Sequence, residues 1–362
     1  MRFIHFSDLR LGHNAESGRR WEQDRNDEIF STLKNIIKKA EELSCELLII
    51  SGDLFSHQPV TSELESMNRL FLSIPGTEIV MVTGRGDMIR KNSPILSFNW
   101  APNVHFEPKD GPVKYRLPRL GAVVYGISVF EHSGKGTKEL SEFIAEDRDE
   151  ELLIRIAAIW EPSSEKAEEA FSGLDISYAA LGGKESHEEL LSGKLCYSGG
   201  PEPASMSDGG PHGIYVGDIS GASGRVVKLE FLPMASVTYM PLAIKINKNT
   251  DMEELNELIA SEIEKRGNKN IYRLRLFGNR DPKLDLDFSG ITGRYRISEV
   301  IDETEPQYDF EAIYDEHPYD LLGYYINRIR RNRTELTELD RKAMYYGIDA
   351  LLRTSEDDGG QQ

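Results

Sequence analysis

Phe3-Ile4-His5-Phe6-Ser7-Asp8-Leu9-Arg10-Leu11-Gly12 joins a strand-like apolar run to a polar, glycine-ended turn. Phe3–Ser7 reads as the strand. The same pattern returns twice. Glu46–Ile50 is followed by Ser51-Gly52-Asp53-Leu54-Phe55-Ser56, and Glu78–Val82 by Thr83-Gly84-Arg85-Gly86-Asp87. Between the first two runs, Ile29, Phe30, Leu33, Ile36, Ile37, Ala40 and Leu43 recur at helical spacing. Leu64, Met67, Leu70 and Phe71 do the same between the second and third. A β-α-β-α-β order implies a mainly parallel sheet covered by helices. In such sheets reacting groups gather at the carboxyl ends of the strands, where these three turns fall. Singly, each Gly-Asp is ordinary turn chemistry. Three in order, on consecutive strands, point to a site.

Further strands are expected at Val123–Val129, Leu152–Ile159, Ile214–Ile219 and Val226–Leu232, and their hairpin-like spacing suggests a second sheet. Gly221-Ala222-Ser223-Gly224 reads as a hairpin turn, and no phosphate-binding Gly-x-x-x-x-Gly-Lys is present. The pattern restarts around Pro233–Pro241. Leu242–Ile246 and Ile271–Phe277 read as strands. Met252, Leu255, Leu258, Ile259 and Ile263 form a helix between them, with Thr250 and Glu253 at capping-box spacing. Residues 318–353 read as two helices. The expected organisation is a layered α/β domain over 1–235, a small β-α-β domain over 236–315, a C-terminal helical segment over 316–354, and a polar, disordered tail over 355–362.

Composition narrows the function classes. The 362 residues carry 43 Lys+Arg against 61 Asp+Glu, a net charge of −18. Such acidity disfavours nucleic-acid binding across the whole surface, because phosphates are repelled. A local basic patch is still allowed, and Arg328, Arg330, Arg331 and Arg333 form one on the expected helix Leu321–Arg331. The chain opens directly on a strand, with no signal-peptide pattern or membrane-length apolar run. The two cysteines, Cys45 and Cys196, are far apart, so a reducing cytoplasm is the expected setting.

With these motifs in place, the chain resembles the SbcD-type DNA-repair exonucleases, within the calcineurin-like metallophosphoesterases. That family writes its first motif Asp-x-His-Leu-Gly; here it is Asp8-Leu9-Arg10-Leu11-Gly12. Its Gly-Asp-Leu-Phe-Asp is here Gly52-Asp53-Leu54-Phe55-Ser56, and its Gly-Asn-His-Asp is Gly84-Arg85-Gly86-Asp87. Its Ala-Leu-Gly-His-x-His is Ala180-Leu181-Gly182-Gly183-Lys184-Glu185. Tyr197-Ser198-Gly199-Gly200-Pro201-Glu202-Pro203 follows the family's Tyr-x-Gly-Ser-Pro-x-Pro closely. Trp160, at the end of the strand Ile154–Trp160, stands where a histidine ligand is expected. The resemblance implies a calcineurin-like β-sandwich flanked by helices, a capping domain and C-terminal helices. It also implies two Mn²⁺ or Mg²⁺ ions and a partner, an SbcC-like coiled-coil ATPase gripped by the C-terminal helices, with DNA reached through that complex. The family dimerises through helices of the phosphoesterase domain, where Met67, Leu70 and Phe71 lie.

Against that pattern the site residues are degenerate. Of the side chains that hold metal in the family, only Asp8 and Asp53 are unchanged in kind. Arg10, Arg85, Trp160, Gly183 and Glu185 stand where His or Asn belongs, although Glu185 retains an oxygen donor. Gly86 replaces the histidine that assists the leaving group, which leaves Asp87 nothing to orient. Arginine has donors but no lone pair, so it cannot ligate a metal. One or both of Arg10 and Arg85 are therefore expected to neutralise Asp8 and Asp53 in place of the cations; otherwise the arginines swing into solvent and the aspartates cap turns. The reading that follows is a non-catalytic partner of an SbcC-like ATPase in double-strand-break processing, without a metal cofactor. Tyr324, Tyr325, Arg328 and Arg331 are its candidate partner contacts. The alternative is a metal-dependent DNA exo- or endonuclease, or another phosphodiesterase, whose altered metal site draws on His13, His57 or His187.

Overall fold

The three strand–turn segments lie next to one another in one sheet. The structure, a computed structural model, describes residues 1–13, 16–147, 152–331 and 337–358. The chain divides into two compact units, Met1–Tyr239 and Met240–Gln362. In the first, the described elements run β1 (Arg2–Phe6), α1 (Glu22–Glu42), β2 (Leu47–Ser51), α2 (Thr61–Leu72), β3 (Glu78–Val82), β4 (Val104–His105), β5 (Val113–Leu117) and β6 (Ala122–Ile127). They continue with α3 (Thr137–Glu146), β7 (Ile154–Trp160), α4 (Ser164–Phe171), β8 (Tyr178–Gly182), β9 (Glu188–Leu190), β10 (Leu195–Tyr197), β11 (Gly213–Ile219) and β12 (Val226–Pro233).

These strands form two six-stranded mixed sheets, ordered β12-β11-β1-β2-β3-β4 and β5-β6-β7-β8-β10-β9. β1 to β4 are parallel, as the sequence pattern requires. Three apolar layers result. Phe3, Leu47, Ile49 and Val80 of the first sheet meet Val124, Ile156, Tyr178 and Cys196 of the second. Leu33, Ile36 and Ile37 of α1 and Leu64, Met67 and Phe71 of α2 pack on the outer face of the first sheet. Leu140 and Ile144 of α3 and Phe171 of α4 cover the second. Every residue of β2 is buried, the pattern of a central strand covered on both faces. Met67 and Phe71 thus belong to the core, and Leu70 is half-buried. The observed fold class is the α/β layered sandwich that the sequence led us to expect.

The pairing of the later strands corrects the expectation. β6 and β7 are parallel neighbours in the second sheet, not a hairpin. β11 and β12 do form a hairpin, turning at Gly221–Gly224, but they extend the first sheet through β1. Sheet membership is a long-range choice, fixed here by the antiparallel register Arg2↔Asp218 and an ion pair of 2.9 Å between those side chains. β5, β8, β9, β10 and the helices α3 and α4 carried too little periodic signal to be anticipated; β8 is Tyr-Ala-Ala-Leu-Gly.

The second unit holds β13 (Tyr239–Ile246), α5 (Met252–Arg266), β14 (Ile271–Arg280), α6 (Ser289–Arg294), β15 (Ile297–Pro306), α7 (Phe310–Glu316), α8 (Leu321–Arg330) and α9 (Glu338–Asp358). Leu255, Ile259 and Ile263 of α5 share a core with Leu242, Ile244, Leu274 and Leu276 of the sheet β13-β14-β15. The helix cap falls one residue later than expected. Asp251 accepts from the Glu254 backbone N–H at 2.8 Å, while the buried Thr250 hydroxyl accepts from that of Asn247 at 3.3 Å. Parallel pairing of β15 with β14 and the short helix α7 were not anticipated. α9 runs into the expected tail, whose residues 359–362 lie outside the described residues, as does Arg333. Among the described residues no helix is long and apolar enough to cross a membrane.

Candidate functional site

The ends of β1, β2 and β3 converge, and their turns interlock through the backbone. The Asp8 N–H donates to the Gly52 carbonyl at 2.9 Å, and the Arg10 N–H to that of Asp53 at 3.0 Å. Asp8, Arg10 and Asp53 all adopt positive φ, near +50°. Non-glycine residues there cost roughly 1–3 kcal/mol each, a cost typically tolerated where a site must be shaped. Beneath the turns His5 hydrogen-bonds Ser51 Oγ at 2.8 Å and the Tyr178 hydroxyl at 2.9 Å. Burial lowers His5 to about 3, so a neutral imidazole joins the two sheets.

Asp8, Asp53 and Asp87 are all buried. Asp8 accepts from the Gly183 N–H at 2.8 Å and from the indole N–H of Trp160 at 3.3 Å. Asp53 accepts from the Gly86 N–H at 2.7 Å, and the nearby indole and Arg10 offset part of its rise in pKa. Asp87 accepts from the N–H groups of Gly84 at 2.7 Å and Phe55 at 3.2 Å, pinning the third turn to the second. Burial is the leading cause of three raised pKa values: Asp8 rises to about 6, Asp87 to about 7, and Asp53 upward too. For Asp8 and Asp87 the neighbouring Asp53 adds to the rise.

The two arginines behave differently. Arg10 reaches Asp8 Oδ1 at 3.7 Å and Glu185 Oε1 at 3.6 Å, standing between two carboxylates. Arg85 is exposed, and among the described residues no ion pair engages it. Of the two arginines, Arg10 alone is placed to offset the aspartates, and Asp53 has the Gly86 backbone N–H as its hydrogen-bond donor. Glu185 lies beside Asp208, whose hydrogen bond raises the Glu185 carboxyl, with burial adding to the effect.

Sequence reading placed Trp160 at a ligand position but missed what it does there. The indole lies against Gly52 and Gly84. A Cβ added at Gly52 would come 2.8 Å from Trp160 Cδ1, and one at Gly84 would come 2.6 Å from it. A Cβ at Gly84 would also lie 2.2 Å from Asp53 Oδ1. Only glycine therefore fits under this ring. Beyond it, a cavity of about 10 Å³ lined by Asp8, Arg10, His13, Glu185 and Asp208 has room for about one water.

A pair of hard cations needs converging oxygen and imidazole donors. Here one indole N–H and one guanidinium face Asp8 instead. Among the described residues no three His, Cys, Asp or Glu side chains converge as a ligand set. The donors do not fit the dinuclear centre that the resemblance implies. Of the histidines weighed as substitutes, His13 lines the cavity beside Asp8, while His57 pairs with Glu63 at 3.1 Å and His187 stacks on Phe231 with centroids 4.0 Å apart.

With this geometry established, the chain can be set against known proteins. No protein-family model matches it. The DNA double-strand break repair protein Mre11 of Methanopyrus kandleri is 30% identical over 100 residues, covering 26% of this chain and 21% of that protein. The chain is thus similar to about a fifth of that relative. A crystal structure of TT1561 of Thermus thermophilus is 12% identical, covering 64% of this chain and 98% of that one, with a TM-score of 0.39.

Proposed function

We propose that this chain is a non-catalytic, phosphoesterase-fold component of a DNA double-strand-break processing assembly, an SbcD-like partner of an SbcC-like coiled-coil ATPase. The observation that carries the reading is the donor set at the strand ends. Asp8 and Asp53 face an indole and a guanidinium, neither of which has a lone pair to give a metal. Metal-assisted phosphodiester hydrolysis uses the cations to make the nucleophile and to neutralise the transition state. Without them, two buried carboxylates repel a phosphate.

The partner contact is assigned to the C-terminal helices. Tyr324 is 66% and Tyr346 78% exposed, and Leu321 and Leu339 are exposed beside them in the chain. Arg328 and Arg331 are exposed too, and their charge suits an acidic partner surface. Tyr325 and Tyr345 instead pack within the helical core with Ile326 and Met344, so Tyr325 serves folding more than contact.

The test is a nuclease assay on linear duplex DNA with Mn²⁺, together with the metal content of the purified protein. No cleavage above background and no stoichiometric Mn, Fe or Zn are expected. Robust cleavage that disappears in Asp53→Ala would overturn the reading. For the partner, Tyr324→Ala/Tyr346→Ala is expected to weaken binding to the coiled-coil base of such an ATPase at least about tenfold in a titration, as the loss of exposed aromatic anchors does.

A further inference from the structure

We propose that the Trp160 side chain is a plug: its indole stands where a hard divalent cation would sit between Asp8 and Asp53, and its removal opens that place to such a cation. The inference rests on the non-catalytic reading and adds what holds the centre closed. Its N–H lies 3.3 Å from Asp8 Oδ1, and the ring sits beside Asp53, since a Cβ on Gly84 would meet both Trp160 Cδ1 at 2.6 Å and Asp53 Oδ1 at 2.2 Å. The N–H gives Asp8 a fraction of the positive charge a cation would bring. The ring is seated on two glycines, Gly52 with φ of +108° and Gly84, and neither tolerates a side chain beneath it.

The surroundings are suited to a cation once the ring is gone. Asp8 keeps a backbone donor from Gly183, and Asp53 one from Gly86, so both carboxylates hold their positions without Trp160. The backbone tie between the Arg10 N–H and the Asp53 carbonyl fixes the two turns relative to each other. A ring-sized space lined by two buried carboxylates is polar and roomy, and such spaces fill with water or ions. Arg10 stays 3.7 Å from the same Asp8 oxygen that the indole contacts, so at most one cation fits.

The experiment is thermal unfolding of the full chain with EDTA or with excess Mn²⁺, for the native protein and Trp160→Ala. The native protein is expected to melt at the same temperature in both. Trp160→Ala is expected to melt roughly 5–10 °C lower in EDTA, from the lost packing. Mn²⁺ is then expected to restore a few degrees of that loss, and adding Asp53→Asn is expected to abolish the restoration. Trp160→His, a smaller ring with a metal-binding nitrogen, serves the same test if the alanine variant does not fold. No Mn²⁺ response in either variant, with an indifferent native protein, overturns the plug and leaves the non-catalytic reading standing. A Mn²⁺ response in the native protein overturns both.

Discussion

Two of the places where the first unit buries charge are built oppositely. At one, Arg25 and Glu202 meet at 2.8 Å with side chains only 2% and 1% exposed. Arg25 also donates to the Pro203 carbonyl and pairs with Glu28, and Glu202 accepts from the Thr32 hydroxyl and the Ser236 N–H. This network, in which only Arg25 Nε of the named groups lacks a hydrogen-bond partner, ties α1 to the loop at Pro203 and to the segment after β12. At the other, Asp8 has one guanidinium at 3.7 Å and one indole N–H, while Asp53 and Asp87 have backbone donors alone. The first place satisfies its charges and serves as a clasp. The second gives three buried carboxylates few positive partners, and burial raises their pKa values instead.

The sharpest way to break this comparison is to open the clasp. Glu202→Ala is expected to cost roughly 3–5 kcal/mol in urea unfolding, because it strands a buried guanidinium. Replacing both partners, Arg25→Met with Glu202→Leu, is expected to recover most of that. A loss under about 1 kcal/mol in the single variant would make the two places equivalent. In the pocket the sign should reverse. Asp8 and Asp87 have folded pKa values above their unfolded ones, so the native state holds their protons more tightly. The stability they contribute is fully present below about pH 4 and is lost as pH rises through about 6 and 7. Asp8→Asn is therefore expected to gain on the native protein between about pH 4.5 and pH 8, by on the order of 1–2 kcal/mol. A difference independent of pH would show that the carboxylate is compensated after all. The smallest effect is expected at Arg85→Ala, which should change stability by less than about 0.5 kcal/mol at any pH.

Much of this was legible in sequence because it is local. The strand–turn units ending in Asp8, Asp53 and Asp87 announce themselves by apolar runs cut off by Gly and Asp, and the structure puts them side by side. The helical stripes of α1 and α2 were read from spacing alone. The destination of β11 and β12 was not, since a hairpin carries no mark of the sheet it joins. Arg10 and Arg85 looked alike as replacements for metal ligands. What separates them is that the Gly86 N–H reaches Asp53 first, a backbone contact that no composition reveals. Trp160 was placed by its strand, but its grip on Asp8 joins positions 152 residues apart.

The two thiols offer a practical consequence. Cys45 is buried in the layer beneath α1, and Cys196 lies between the sheets. Burial pushes both to about 12, so neither is a thiolate at ordinary pH. The folded chain should resist air oxidation and ignore alkylating reagents. Any labelling that does occur times the opening of one layer or the other, giving two internal clocks for its unfolding without an introduced probe.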